Sequence, residues 1–101
     1  MFLILWEFEV KPGCNERFEK VYGPDGEWAR LFRSGAEYRG TRLVRDSFRA
    51  ACYLTLDFRN SREAYEEFLR AHRAEYEAIE EIGEKLMLGE RRIGTYKMVD
   101  A

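Results

Sequence analysis

The stretch from residue 51 to residue 86 leaves this chain few ways to fold. It opens on Ala51-Cys52-Tyr53-Leu54-Thr55-Leu56-Asp57-Phe58, an alternating run that predicts a strand with Cys52, Leu54, Leu56 and Phe58 on one face. Through Asn60-Ser61-Arg62-Glu63 it enters the longest helical pattern in the sequence. Tyr65, Phe68, Leu69, His72, Tyr76, Ile79 and Gly83 recur there at steps of three and four, one stripe of a helix. The only histidine, His72, lies in the middle of that stripe. A strand feeding a helix whose apolar stripe must fold back onto it is half of a βαβ unit. A straight helix over residues 60–83 would run ~36 Å, more than a strand of ordinary length can cover. A bend or restart is therefore predicted near residues 71–75.

The remaining segments complete the pattern. Residues 2–10 alternate, with Phe2, Ile4, Trp6, Phe8 and Val10 on one side and Leu3, Leu5, Glu7 and Glu9 on the other. Lys11-Pro12-Gly13 ends that strand, and Asn15 or Gly13 can cap a helix whose inner face is Cys14, Phe18, Val21 and Tyr22. Gly23-Pro24-Asp25-Gly26 turns and restarts a second short helix, with Trp28, Leu31 and Phe32 inward. Residues 38–46 read as a strand with a weak point or bulge at Gly40, and Ser47-Phe48-Arg49 as its hairpin connection. Asn60 caps the long helix with Glu63 three residues on, and residues 86–99 form a last strand with irregularities at Gly89 and Gly94.

The order β-α-β-β-α-β is the ferredoxin-like arrangement of an α+β domain, a four-stranded antiparallel sheet with helices on one face. A single domain over residues 1–101 is expected. If the even-numbered sides of the first and third strands face the helices, the opposite face carries Leu3, Leu5, Tyr53 and Thr55, a mixed apolar surface that needs a partner. A second copy packed sheet to sheet supplies one. Glu7, Glu9 and Asp57 are expected on that same face, paired with arginines across the dimer.

Composition narrows the partners. Hydrophobic residues make up 46% of the chain and aromatics 15%, so a packed core is available. The net charge is −2, with basic residues spread along the chain, and no patch marks a nucleic-acid or anionic-membrane surface. Residues 1–6 are apolar, but Glu7 and Glu9 follow at once, so a strand is read there and not a signal peptide; no apolar run approaches the ~20 residues that span a bilayer. Cys14 and Cys52 stand alone, without metal-ligand spacing, and are read as reduced thiols of a cytoplasmic protein. One histidine supports no Ser-His-Asp or Cys-His arrangement, and the turn at residues 23–26 lacks the spacing and lysine of a phosphate loop.

Three segments carry a family resemblance: Leu3-Ile4-Leu5-Trp6-Glu7-Phe8-Glu9-Val10-Lys11-Pro12-Gly13, Tyr38-Arg39-Gly40-Thr41-Arg42-Leu43-Val44-Arg45-Asp46 and Asn60-Ser61-Arg62-Glu63-Ala64-Tyr65-Glu66-Glu67-Phe68. In order and spacing the chain resembles the antibiotic-biosynthesis-monooxygenase-like proteins of the dimeric α/β-barrel superfamily. The resemblance implies a ferredoxin-like monomer, a homodimer whose two sheets form a barrel, and a pocket in each monomer between sheet and helices. Some relatives oxidise polyketide-type aromatics with O₂ and no cofactor. The haem-degrading members pair an asparagine on the first strand with a helical histidine, and residues 2–10 contain no asparagine.

The expected site residues follow. His72 is the candidate catalytic base, as a solitary titratable group on an apolar stripe. Trp6, Phe8, Tyr22, Trp28, Phe32, Phe58, Tyr65, Phe68 and Tyr76 are the candidate walls of an aromatic substrate pocket. No metal, flavin or haem ligand set is recognisable, so cofactor-free chemistry on a small apolar or aromatic molecule is expected. The alternative is a non-catalytic dimeric module that binds a small ligand or stabilises an assembly. An enclosed space with converging polar groups favours the enzyme, a solid interior the module.

Overall fold

A computed structural model describes residues 1–99; the last two residues of the expected 1–101 domain lie outside the described residues. The chain runs β1 (Phe2–Val10), α1 (Asn15–Tyr22), α2 (Glu27–Phe32), β2 (Tyr38–Arg45), β3 (Cys52–Arg59), α3 (Arg62–Ala71), α4 (Arg73–Glu84) and β4 (Met87–Lys97). The strands form one antiparallel sheet in the order β2-β3-β1-β4, the ferredoxin-like topology, with the helices on one face. No helix of the described residues is long and apolar enough to cross a membrane.

Local chemistry explains most boundaries. Cys14 occupies the cap position of α1 without a side-chain bond, while the Asn15 amide donates instead to the Ala50 carbonyl and the Tyr53 hydroxyl. Ser61, not Asn60, caps α3: its hydroxyl accepts from the Ala64 N–H, and Asn60 accepts from Arg39. The long helical stripe breaks at His72, whose φ of −121° and ψ of 31° leave the helical region inside the expected window. Gly40, at φ +114°, sits where β2 slips one residue against β3, a bulge that only glycine accepts cheaply. β4 is irregular beside both of its glycines, opposite Leu5/Trp6 and Glu9/Val10.

One expectation is reversed. In β3 the buried side chains are Cys52, Tyr53, Thr55, Asp57 and Arg59, while Leu54, Leu56 and Phe58 are half-buried. Cross-strand pairs share a face, and the register aligns Trp6 with Thr55 and Ile4 with Asp57, against Leu5 with Leu56 and Leu3 with Phe58. Tyr53, Thr55, Asp57 and Arg59 therefore face the helices. The open face is Leu3, Leu5, Leu54, Leu56 and Phe58, joined across the sheet by Val44 and Tyr96. Asp57 accordingly leaves the set of acidic groups expected there; Glu7 remains, within reach of Arg91 and Arg49. Both faces of β3 carry large side chains, so apolarity alone does not orient the strand. The decisive feature is that Asp57 and Arg59 neutralise each other, which lets the polar side go inward.

That inward side builds the core. Phe8, Val10, Phe18, Val21, Tyr22, Tyr53, Leu86 and Met87 pack as one cluster between sheet and α1. Phe2, Ile4 and Tyr65 form a second beneath α3, and Trp6 touches both. Phe18 and Tyr22 stack 4.3 Å apart, and the Tyr22 hydroxyl lies so close to Gly83 that any Cβ there would overlap it. Gly83 is thus a packing requirement of α4 against α1.

Candidate functional site

Every element contributes to one cavity between sheet and helices. β1 gives it Trp6 and Phe8, α1 Tyr22, α2 Trp28 and Phe32, α3 Tyr65 and α4 Tyr76. Thr41, Thr55 and Asp57 from β2 and β3 supply polar floor, and Glu80, Glu84 and Glu90 come from α4 and β4. The cavity holds about 60 Å³, room for a few water molecules or the head of a small organic ligand. The rings are interlocked: Trp28 meets Tyr76 edge-on at 4.8 Å and stacks on Phe32 at 5.6 Å.

A buried charge network underlies the floor. Arg59 is wholly inaccessible and donates to Asp57 (3.0 Å) and Glu37 (2.9 Å). Its guanidinium lies 3.9 Å from the Phe32 ring centre and within 5 Å of those of Tyr38 and Tyr65. Asp57 also accepts from the Thr41 hydroxyl at 3.0 Å, which is 2.6 Å from the Tyr38 hydroxyl. Burial raises the Asp57 carboxyl above its ordinary value, outweighing Arg59 and the hydrogen bonds that pull it down. Glu90 is raised as well, by burial first and then by the charges of Glu80 and Glu84. Burial also raises the phenols of Tyr22, Tyr65 and Tyr76, so these hydroxyls stay protonated at neutral pH and act as donors, not bases.

Three buried polar atoms lack a hydrogen-bond partner among the described residues: Trp28 Nε1 on the cavity, and Glu37 Oε2 and Arg59 Nε in the charge network beneath it. The buried Trp28 indole N–H has no acceptor; it lies near enough to the Tyr22 hydroxyl to favour that group's ionisation slightly, but outside hydrogen-bond geometry. Thr55, only 7% exposed, has no side-chain hydrogen bond within the protein.

Of the residues expected at the site, Trp6, Phe8, Tyr22, Trp28, Phe32, Tyr65 and Tyr76 converge on the cavity. Phe58 projects from the open sheet face, and Phe68 packs against Phe32 beneath α3, outside the lining. His72 also lies outside it. The ring stacks on Phe68 at 4.1 Å, and its Nδ1 is 3.0 Å from the Phe68 carbonyl oxygen, tying the imidazole to the helix junction. Sequence reading missed Thr41, Thr55, Asp57, Glu80, Glu84 and Glu90. The available signal was the Thr55-x-Asp57-x-Arg59 spacing, which puts a hydroxyl and a self-neutralising ion pair on one strand face.

Solved structures share this architecture. SnoaB from Streptomyces nogalater, a cofactor-independent oxygenase, superposes with a TM-score of 0.80 at 14% identity, covering 99% of this chain and 94% of that one. The chain has the antibiotic-biosynthesis-monooxygenase-like fold. A Nitrosomonas europaea protein provisionally described as an antibiotic biosynthesis monooxygenase shares the fold at a TM-score of 0.76 and 11% identity, over 99% of this chain and all of that one. Rv0793 from Mycobacterium tuberculosis does so at 0.74 and 13% identity, over 99% and 96%. No family model and no curated protein matches the sequence.

Proposed function

We propose that the protein is a homodimeric, cofactor-independent monooxygenase of a compact aromatic substrate, with the cavity between sheet and helices as its active site. The observation that carries the reading is Asp57. It is a buried carboxylate of raised pKa on the wall of an aromatic cavity, held by Thr41 and Arg59. The likeness in fold to SnoaB supports the reaction class.

In this reading Asp57, not His72, takes a proton from an activated methylene or hydroxyl of the substrate. The resulting carbanion passes one electron to O₂, and recombination of the two radicals forms a C–O bond as a peroxide. At a methylene carbon, loss of the second hydrogen as a proton and cleavage of the O–O bond then give a carbonyl and water. The Trp28 N–H and the Thr55 hydroxyl, both without partners, are the donors for the oxygen that gains charge. The aromatic walls exclude water. A second copy on the open face would cover Leu3, Leu5, Leu54, Leu56 and Phe58.

Oxygen uptake by purified protein with a panel of one- and two-ring phenols, each with and without an aminomethyl group, and without added flavin or metal, tests the proposal. Catalysed uptake that falls at least about a hundredfold in Asp57→Asn is expected. Turnover undiminished in that variant would remove Asp57 from the chemistry, and no uptake across the panel would overturn the activity.

A further inference from the structure

We infer that the cavity selects an organic cation: the ligand class is an aromatic amine whose protonated nitrogen enters between the rings. The inference rests on the cavity being the ligand site, and it names the charge of what the site accepts.

Two independent features lead to it. The walls present the faces and edges of Trp6, Tyr22, Trp28 and Tyr76, the ring chemistry that attracts ammonium groups. The charged groups in the lining are all acidic. Glu80, Glu84 and Glu90 form no ion pair among the described residues, and Asp57 on the floor shares its one cation, Arg59, with Glu37. Two basic groups lie near the walls: Arg59, its guanidinium 3.9 Å from the Phe32 ring centre but already held by Asp57 and Glu37, and Arg92, 5.8 Å from the Trp6 ring centre with its side chain exposed. The Arg92 contact is itself a cation resting on the wall. Thr55, buried and without a partner, offers an oxygen that accepts from an ammonium N–H.

The alternatives fit less well. A carboxylate or phosphate would enter against three unpaired carboxylates, Glu84 and Glu90 exposed and Glu80 half-buried, with Arg59 already held by Asp57 and Glu37 and Arg92 left to meet it. A neutral arene would leave their repulsion in place. A cation relieves it. The cavity's size sets the scale: a primary ammonium on a single ring has its head inside and its ring at the mouth.

Benzylamine, benzyl alcohol and benzoate are a matched cation, neutral and anion series for the test. Their binding is read by quenching of tryptophan fluorescence and by calorimetry on the full-length protein. Benzylamine is expected to bind about tenfold more tightly than benzyl alcohol, with benzoate weakest. Salt should weaken the first and leave the second unchanged. Replacing the three glutamates together, Glu80→Gln, Glu84→Gln and Glu90→Gln, should abolish the preference, bringing benzylamine and benzyl alcohol to equal affinity. Equal affinity across the series, lowered throughout by Thr55→Val, would overturn cation selection yet keep the cavity as the ligand site. Binding of none of the three would overturn both.

Discussion

Arg59 shows at the scale of one residue how this chain reconciles a polar strand face with a core. A fully buried guanidinium is tolerated because two carboxylates and three ring faces replace most of the water it loses, its Nε alone being left without an acceptor. Removing the cation alone leaves Asp57 and Glu37 buried together, so Arg59→Ala should cost about 3–5 kcal/mol in urea denaturation. The loss should shrink in acid, where Asp57, its carboxyl already raised by burial, takes up a proton; an undiminished loss in acid would mean that packing, not charge, is what Arg59 supplies. His72 makes the contrast. Its contacts are one ring and one carbonyl at a helix junction, so His72→Ala should cost about 1 kcal/mol or less and leave ligand binding in the cavity unchanged. Altered affinity in that variant would bring His72 back to the site.

The elements were legible in the sequence where one periodicity acted alone. β1, the paired short helices, the bulge at Gly40 and the break near residue 72 all follow from spacing and glycine or proline chemistry. β3 was ambiguous because both of its faces are occupied, one by the helices and one by an apolar surface the monomer leaves open. The aromatic half of the cavity was readable for the same reason that β1 was, since large rings on inward stripes have to meet. Its acidic side was not: Glu80, Glu84 and Glu90 look in sequence like any solvated charge, Glu84 and Glu90 are exposed in the fold as well, and only the packing of α4 against β4 brings them to one cavity. The open face also carries a prediction about assembly. Leu5 and Leu56 are directly opposed at its centre. Light scattering at micromolar concentration should give about twice 12.0 kDa for the wild type and 12.0 kDa for Leu56→Arg, which puts a charge at the centre of the proposed dimer face. A monomeric wild type would refute the dimer.

For the molecule as a whole, the concentration of buried phenols sets the alkaline limit of stability. Tyr22 and Tyr65 have pKa values raised well above the ordinary 10.0, by burial in both, because a phenolate among rings and sheet loses its hydration. In the unfolded chain the same hydroxyls ionise near 10.0. Below that pH both states keep their protons and the groups contribute their full stabilisation. Above it the unfolded state releases protons that the folded state retains, so stability falls as pH rises toward the folded values. These two tyrosines alone should remove roughly 3 kcal/mol for each pH unit above 10, enough to exhaust an ordinary domain's stability within a few units. Denaturant midpoints should therefore be level through the neutral range and drop steeply in alkali. Tyrosinate absorbance should appear in two stages: the more accessible phenols first, and the buried ones together with loss of the far-ultraviolet circular dichroism. Tyr65→Phe, which keeps the ring and removes the ionisable group, should flatten the alkaline slope by about 1.4 kcal/mol per pH unit. An unchanged slope in Tyr65→Phe would show that this hydroxyl ionises as readily folded as unfolded, and that the cavity wall beneath α3 is open to water.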